Sequence, residues 1–361
     1  MLLPWWVEIK RAARCRGTGK LQSIMHLGFA IRNPCLAASL LRSLVLMMRF
    51  LFSAIPCLLL AASASFYVQA GDSQRFDFSG PGMATTFRIA CYTENQEQAA
   101  KATDACFRRI AELNALFTDY DPTSELMRLC APEAVYPKVV SQPMHDLLQR
   151  ALKLAEQTQG AFDPTIGHLS NLWRRSKRQG KLPPIERLQK GIAATDWRRV
   201  TLHPGSSEVS LTPGTLLDLG GIAKGYAADE CLRVLKRHGI HRAVVQAGGD
   251  TAVGDPPPGE SGWEITLRTD AKTETKVRLA NRAVSTSGDL YQFIELDGQR
   301  YSHVLSPKTG LGLTKAIACS VFAPDCTTSD ALATAMCVLG REAGEKIART
   351  MKGVEVRFAQ P

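Results

Sequence analysis

Hydrophobic residues recur every three or four positions in three parts of the chain, which is the spacing of a helix with one buried face. The first pattern predicts a helix over 96–117. The second predicts a helix over 141–158 that Ser141 caps, and the third a helix over 328–339 that Gly340 ends. Each of these helices must pack its apolar face on other elements.

Alternating apolar positions and short apolar runs predict strands between the helices. Residues 71–92 indicate two strands joined by a turn at Gly80–Gly82. The basic stretch 174–190, with its paired prolines, indicates a solvated, mobile excursion. Helices and strands are mixed without an internal repeat, so we expect one compact α+β unit with its ligand in a cleft. The remaining strands are predicted over 197–213 (a hairpin), 242–247, 263–268, 283–289, 291–295, 301–310 and 317–323.

The stretch Leu217–Tyr226, LDLGGIAKGY, joins an apolar run to an amphipathic pattern that stops at Gly239. It predicts a strand over 211–219, a tight turn at the paired glycines and then a helix. Backbone N–H groups at such a turn, together with the positive end of the helix dipole, can face an anion. Asp218 and Lys224 bring opposite charges to this corner. The pattern is a weak phosphate-site signal, because it is neither a P-loop nor a full dinucleotide fingerprint.

Charge and cysteine content exclude two classes of protein. The formal charge of +10 arises mostly in residues 1–70, which hold eight Lys and Arg and one acidic residue; the remainder has 36 basic and 33 acidic residues. A near-neutral body argues against a nucleic-acid partner. No Cys-x-x-Cys pair occurs, which disfavours a zinc ribbon. Cys106, Cys231 and Cys337 lie on apolar faces of predicted helices, where a buried thiol is favoured over a disulfide.

The first 70 residues have the composition of a targeting segment. A basic start at Met48–Arg49 precedes an apolar core and a small-residue exit at Val68–Ala70. This order is typical of a signal peptide, and the core is too short to span a membrane comfortably. Residues 47–70 are therefore predicted to be a signal peptide.

The folded domain is predicted over 71–361. Residues 1–46 are interpreted as an upstream extension outside the fold, with the true start at Met47 or Met48; the alternative is one long export leader. Cys57 allows lipid attachment, but the small residues expected before a lipidated cysteine are missing, so anchoring is the less favoured hypothesis.

Asp330 and Thr334 are four residues apart on a predicted helix and hence share one face. Two oxygen ligands so placed suit a hard cation such as Mg²⁺. Spacing alone favours the structural interpretation, in which the helix dipole stabilises the acid and the threonine bonds back to the preceding turn. By residue type alone, His303 is also a structural residue and Asp163 a turn former.

Eight short segments, taken together and in order, resemble the FAD:protein FMN transferase (ApbE) family. They span about residues 80–340, nearly the whole folded domain. In chain order they are GMATT at 82–86, YDPTSEL at 120–126, GAFDPTIG at 160–167, DLGGIAKG at 218–225, GGD at 248–250, STSGD at 285–289, SHVLSPKTG at 302–310 and DALAT at 330–334. Two departures are Ser306, where members often carry Asp or Asn, and Ala333, where some members place another acidic ligand; both bear on the charge around the metal.

The resemblance implies a mixed-sheet α+β fold, related to the T-fold, with FAD in a cleft. It implies that Mg²⁺ is held by the backbone carbonyl of Gly221 and the side chains of Asp330 and Thr334. It also makes His303 a candidate for the catalytic or substrate-positioning residue. The positions that match FAD contacts are Met83, Tyr120, Ala161, Phe162, Asp163, Asp218, Lys224 and Val304.

The implied reaction is transfer of FMN from FAD to a threonine or serine hydroxyl of an acceptor protein, with release of AMP. The implied acceptor is a membrane-bound electron-transfer flavoprotein subunit, and the implied location is the periplasm or the periplasmic side of the inner membrane. Replacing Lys224 is expected to weaken FAD binding more than it alters the fold. Two alternatives stay open: a Mg²⁺-dependent FAD pyrophosphatase that yields FMN and AMP, and an exported flavin-binding protein without turnover.

Overall fold

The computed structural model describes residues 73–268, 274–288 and 293–359. The predicted upstream extension at 1–46, the predicted signal peptide at 47–70 and Asp289 of the STSGD segment lie outside the described residues. Within the described ranges, no helix is long and apolar enough to cross a membrane.

A seven-stranded antiparallel sheet forms the centre of the fold, in the order β1-β2-β6-β7-β10-β13-β14. Its strands are β1 (Gln74–Gly82), β2 (Thr85–Thr93), β6 (Ala243–Ala247), β7 (Asp250–Val253), β10 (Arg282–Gly288), β13 (Ala318–Ala323) and β14 (Glu355–Phe358). A three-stranded sheet contains β3 (Lys138–Val139), β4 (Val200–Leu202) and β5 (Glu208–Leu211). Two hairpins are formed by β8 (Trp263–Arg268) with β9 (Glu274–Leu279) and by β11 (Phe293–Leu296) with β12 (Gln299–Ser302).

Eight α-helices occur in the described part of the chain. The long ones are α1 (Gln96–Phe117), α3 (Gln142–Gln157), α4 (Gly167–Gln179), α6 (Ala223–Arg237) and α7 (Cys326–Leu339). The short ones are α2 (Glu125–Leu129), α5 (Ile185–Ala193) and α8 (Arg341–Thr350). The predicted α+β class is confirmed.

The alternation of side chains along β2 shows how the layers arise. Phe87, Ile89 and Cys91 face the main core, which α1, α6 and α7 cover, whereas Ala90 faces a second core beneath the β8–β9 hairpin. Successive strand residues point to opposite faces, so a strand buried on both faces is apolar at nearly every position. A third apolar cluster joins α4 and α5 to the β11–β12 hairpin.

The three helices predicted from periodicity are confirmed, and their local signals act as expected. The hydroxyl of Ser141 accepts a hydrogen bond from the backbone N–H of Met144 at 3.4 Å, and Gly340 ends α7. Cys106, Cys231 and Cys337 are buried, and the cysteines in the described residues are free thiols. Side-chain periodicity therefore identified the helices that face the main core.

Three local predictions are wrong. Residues 212–219 form no strand, because a turn at Pro213–Gly214 interrupts the run and Leu216 makes only a single parallel bridge to Ile166. The strand predicted over 301–310 ends at Ser302. Residues 174–190, expected to be a mobile excursion, instead complete α4 and begin α5, because buried side chains anchor both helices to the third cluster.

The turn of the first hairpin is also displaced from its predicted position. Gly82 pairs with Thr85, so the two-residue turn falls on Met83 and Ala84 rather than on Gly80–Gly82. The glycines serve close packing, since a Cβ on Gly82 would lie 2.4 Å from the Ile110 side chain. Met83 and Ala84 adopt φ values of 46° and 57°, which cost a residue with a Cβ about 1–2 kcal/mol each.

Candidate active site

One end of the central sheet brings together the first hairpin turn, which carries the predicted site residue Met83, and the β6–β7 turn. The β6–β7 turn lies beside the first hairpin, since a Cβ on Gly248 would lie 3.2 Å from the Thr85 hydroxyl. The same turn is tied to β10, where the Thr286 backbone N–H donates to the Gly249 carbonyl at 3.0 Å. Met83 sits in the hairpin turn and lines an open groove of about 670 Å³ beside α1. Met83 and the start of β7 therefore lie at the same end of the sheet.

Lys224, which is partly exposed, and the buried carboxylates of Asp250 and Asp330 form a charge cluster at this end of the sheet. The Lys224 ammonium lies 2.5 Å from Asp250 Oδ2 and 3.3 Å from both carboxylate oxygens of Asp330. The backbone N–H of Gly225 donates to Asp330 Oδ2 at 2.9 Å. A backbone N–H at the start of α6 thus binds a carboxylate that α7 brings from elsewhere in the chain. The two carboxylates and one ammonium leave a formal charge of −1, which favours a further cation.

The pKa values follow from this packing. Burial raises the pKa of Asp330 to about 6, Asp250 acts in the same direction, and Lys224 opposes both. Burial alone would lower the pKa of Lys224, but the carboxylates of Asp250 and Asp330 outweigh burial and raise it above its ordinary value. Lys224 therefore stays charged at neutral pH.

Gly225 allows α6 and α7 to approach closely enough to make this cluster. A Cβ there would lie 2.2 Å from the Cys326 carbonyl oxygen and 2.8 Å from Asp330 Cβ. The first atom belongs to the backbone, so relief requires the two helices to separate. Gly225 is thus required by helix packing and not by turn conformation.

We expect Gly225→Ala to destabilise the protein by about 1–3 kcal/mol, the range for overpacking a tight contact, and to weaken FAD binding. Gly221→Ala is the matched control, because a Cβ at Gly221 meets only ordinary contacts at 3.5 Å and beyond. Thermal unfolding of both variants checks the prediction. Equal Tm values for the two variants would contradict it.

Gly221, Phe162 and Thr334 meet beside the charge cluster. A Cβ on Gly221 would lie 3.6 Å from Thr334 Oγ1 and 3.5 Å from the Phe162 ring. Asp330 and Thr334 share one face of α7, as predicted. The Asp330 carboxylate and the Thr334 hydroxyl on this face are hard oxygen donors, which suit a hard cation better than a soft metal. Within residues 73–268, 274–288 and 293–359, no cluster of three His, Cys, Asp or Glu side chains could hold a metal, so such a site would depend on these mixed oxygens.

The loop that contains Ala161, Phe162 and Asp163 packs against the stretch that leads into α6. Its Pro164 carbonyl accepts a hydrogen bond from the Asp218 backbone N–H at 2.8 Å. Asp163 points inward, where it accepts from the Thr165 backbone at 2.8 Å and the Trp197 backbone at 3.0 Å. Burial raises the pKa of Asp163, and these hydrogen bonds oppose the rise. The side chain of Asp163 thus holds the loop in shape, which is the turn-forming role that its residue type indicated.

Tyr120 and Asp218 belong to a second polar cluster that includes two residues absent from the sequence-based predictions. Arg174 of α4 pairs with Asp119 and donates to the Tyr120 hydroxyl at 3.2 Å. Burial raises the pKa of Asp119, and the carboxylate of Asp218 raises it further. The Asp218 carboxylate therefore acts electrostatically on the Asp119–Arg174 pair.

The last two predicted site residues lie in the segment after β12. His303 is exposed. Val304 is buried in the main core, and its carbonyl accepts from the Leu313 backbone N–H at 3.0 Å. Ser306 and Ala333, the two departures from the family pattern, are buried and uncharged. The described site thus gains no negative charge at either position.

Asp250, Asp119 and Arg174 belong to these clusters but were not predicted as site residues. Asp250 appeared only as the last residue of the GGD segment, although its position after a buried strand could have suggested a buried carboxylate. Asp119 precedes a predicted site residue, and Arg174 opens a run of basic residues. No local pattern joins Arg174 to a loop 55 residues earlier.

Comparison with known proteins agrees with the resemblance found in the sequence. The family model described as "ApbE family" matches residues 83–358. FAD:protein FMN transferase of Treponema pallidum is 32% identical over 299 residues, which cover 77% of this chain and 83% of the relative. The protein of that name from Vibrio cholerae is 30% identical over 80% of this chain and 90% of the relative. The crystal structure of the apo form of the Pseudomonas stutzeri flavinyl transferase ApbE superposes with a TM-score of 0.72 at 26% identity, over 79% of this chain and 91% of that one.

Proposed function

The chain belongs to the ApbE family, and from that membership we propose that it is an FAD:protein FMN transferase whose acceptor is a threonine or serine hydroxyl. The observation that carries the proposal is the cluster of Lys224, Asp250 and Asp330 beside Gly221 and Thr334. This cluster combines a fixed cation with oxygen donors for a second cation. Such an arrangement fits a substrate that carries a pyrophosphate.

In the reaction, one bond of the FAD pyrophosphate breaks and one phosphoester bond to the acceptor forms. The acceptor hydroxyl oxygen attacks the phosphorus of the FMN half, and the bond from that phosphorus to the bridging oxygen breaks. AMP leaves with the bridging oxygen, and FMN remains on the acceptor as a phosphoester. The hydroxyl proton goes to a base, for which His303 is the candidate; such a step contributes typically ~10²–10⁴ in rate.

The residues that would hold Mg²⁺ are Gly221 through its carbonyl, Asp330 through its carboxylate and Thr334 through its hydroxyl. When bound, Mg²⁺ supplies electrostatic stabilisation for the charge that develops on the pyrophosphate. Lys224 contributes a permanent positive charge at the same place. Asp250 keeps that ammonium fixed at 2.5 Å, so little reorganisation is needed during the reaction.

The remaining predicted contacts fit FAD as residues that shape a pocket. Phe162 is held against Gly221 by the loop that Asp163 stabilises. Met83 offers an unbranched, polarizable side chain from a fixed hairpin turn. Tyr120 is hydrogen-bonded to Arg174 of the Asp119–Arg174 pair, and the Asp218 carboxylate acts electrostatically on the same pair. Together these residues support a site in which one wall is apolar and the other is charged.

We expect the effect of Mg²⁺ on stability to depend on pH through Asp330. Its pKa of about 6 lies above the ordinary 3.8, so ionisation of Asp330 opposes folding of the metal-free protein. The stability that the protonated Asp330 carboxyl contributes is fully present below the unfolded-state pKa, and it is lost as pH rises through the folded-state pKa of about 6. A cation binds the ionised carboxylate, so the rise in Tm caused by Mg²⁺ should be larger at about pH 7.5 than at about pH 5. An equal rise at both pH values would contradict the assignment, and Asp330→Asn should remove the difference.

We also propose that the enzyme acts outside the cytoplasm, on the periplasmic side of the inner membrane, and that its acceptor is a membrane-bound electron-transfer flavoprotein subunit. The signal-peptide pattern at 47–70 supports export. N-terminal sequencing of the exported protein tests the cleavage site, and a start far from Gly71 would overturn it. A flavoprotein subunit encoded beside this chain would name the acceptor to test first.

The activity is tested by incubating the purified protein with FAD, Mg²⁺ and the candidate acceptor. Flavin fluorescence on the acceptor band after denaturing electrophoresis supports transfer. Free FMN and AMP without labelling would instead indicate a pyrophosphatase, in which water replaces the hydroxyl. FAD that is bound and unchanged would indicate a binding protein. The matched control is an acceptor in which the threonine or serine that carries the target hydroxyl is replaced by valine or alanine.

A further inference from the structure

Arg174 lies beside two loops that the proposed function places around FAD. Its side chain pairs with Asp119, donates to the Tyr120 hydroxyl at 3.2 Å and donates to Asn171 Oδ1 at 2.6 Å. Asp218 lies close enough to Arg174 to act on it electrostatically. Arg174 is carried by α4, which the neighbouring Trp173 anchors in the third apolar cluster. It therefore joins a rigid helix to two loops.

The ring of Tyr120 is exposed, and Arg174 supports it from one side. The residue is 74% exposed, the largest such fraction among the exposed aromatic residues described. The Arg174 guanidinium carbon lies 4.7 Å from the ring centroid, which is the geometry of a cation–π contact. One face of the ring is thus occupied, and exposure of this size leaves the rest of the ring available to a planar ligand.

The backbone beneath Tyr120 is fixed independently of Arg174. The Ser124 hydroxyl donates to the Thr118 carbonyl at 2.7 Å, and Asp121 accepts from the Thr123 backbone N–H at 2.8 Å. These bonds close the loop but leave the Tyr120 side chain free to rotate. Among the described residues, the side-chain partner recorded for Tyr120 is Arg174. The orientation of the ring therefore depends on Arg174.

A lysine at position 174 could not make the same set of contacts. The planar guanidinium reaches Tyr120 through Nη1 and both Asp119 and Asn171 through Nη2, and its central carbon lies 4.7 Å from the ring centroid. An ammonium has no plane to stack and offers a single donor atom. The contacts therefore use the shape of arginine in addition to its charge.

We propose that Arg174 is a positioning residue for the flavin, which holds the Tyr120 ring so that its free face stacks on the isoalloxazine of FAD. The inference rests on the proposed function, because it takes FAD to be the ligand of this pocket. Arg174 acts through Tyr120 and takes no part in the transfer of FMN. Its loss should weaken the binding of FAD and leave the chemical step nearly intact.

The test is a double-mutant cycle between Arg174→Met and Tyr120→Ala, measured by titration of FAD in the presence of Mg²⁺. We expect Arg174→Met to raise the Kd for FAD about tenfold, the scale of one desolvated stacking contact, and to reduce the quenching of flavin fluorescence on binding. Because Arg174 acts through Tyr120, the double variant should bind FAD no more weakly than Tyr120→Ala alone. Arg174→Lys should recover only part of the affinity. With acceptor present, KM for FAD should rise while kcat stays within about twofold of the wild-type value.

Arg175→Met is the matched control, since Arg175 is exposed on the same helix and should leave Kd unchanged. Additive effects of the two substitutions, an unchanged Kd in Arg174→Met, or full recovery by Arg174→Lys would each overturn the proposal. Thermal unfolding separates loss of fold from loss of binding. The titration needs no acceptor, so a wild-type protein that binds FAD without transferring FMN would refute the proposed function and still test Arg174. A wild-type protein that binds no FAD would refute both.

Discussion

Asp330→Asn is expected to reduce Mg²⁺-dependent FMN transfer by about 10²–10³-fold, the scale for removing one group that stabilises charge in the transition state. The substitution keeps the shape of the side chain and an oxygen that can accept from Gly225 N–H. It removes the negative charge that would bind Mg²⁺ and that faces Lys224 at 3.3 Å. The ammonium keeps Asp250 as its partner, so the fold should survive. Initial rates of acceptor labelling over a range of Mg²⁺ concentrations give the measurement.

Asp229→Asn is the matched control for a buried carboxylate near the same two helices. Asp229 accepts from the backbone N–H groups of Cys326 and Thr327 at 2.8 and 2.9 Å, so it caps the start of α7. Its substitution should lower Tm and leave the Mg²⁺ dependence of labelling intact. If Asp330→Asn retained wild-type labelling and Mg²⁺ dependence, the metal assignment would be wrong.

Lys224→Met is expected to abolish detectable FAD binding and to cost about 3–5 kcal/mol of stability, as when one partner of a buried ion pair is removed. Sequence analysis expected Lys224 to matter for FAD more than for the fold. The structure revises that expectation, because Asp250 and Asp330 would face each other without the ammonium between them. Both carboxylates are buried, so solvent cannot screen their repulsion.

Chemical denaturation with and without Mg²⁺ measures this effect. Mg²⁺ should stabilise Lys224→Met more than it stabilises the wild type, since a divalent cation can replace the lost positive charge. Asp250→Asn in the same chain should restore part of the stability by removing one of the two facing charges. Lys236→Met, at an exposed position of α6, is the control and should be neutral in both assays. A variant at position 224 with unchanged stability would show that the carboxylates need no internal cation.

The helices of the main core were predictable because their signals are local. The spacing of Cys106, Ile110 and Leu113 defines a face of α1, and the hydroxyl of Ser141 caps α3 through a bond to its own first turn. These interactions lie within a few residues, so periodicity and capping rules apply directly. The strand predicted over 212–219 failed for the opposite reason. Leu217 and Leu219 are apolar because the main core buries them, and burial does not require a ladder of hydrogen bonds.

The glycines also divide into features that local sequence predicts and features that tertiary packing decides. The sequence indicated that Gly80–Gly82 form a turn, but their contacts with Phe107 and Ile110 require small residues for packing. The strained turn falls instead on Met83 and Ala84, which no propensity favours. Gly225 is likewise required by the backbone of another helix. Steric demands of this kind arise between segments far apart in the chain.

The sequence by itself determined the α+β class, the main-core helices and the family resemblance, and it proposed the residues of the candidate site. Those features depend on residue spacing, on local hydrogen bonds and on the order of short segments. Only the tertiary structure decided that Asp250 shares Lys224 with Asp330, that Asp163 faces inward, and that Arg174 supports Tyr120. The physical reason is that charge pairing and stacking act through space, and the partners here are between 26 and 106 residues apart along the chain. Folding brings them within a few ångströms, where burial strengthens their interaction.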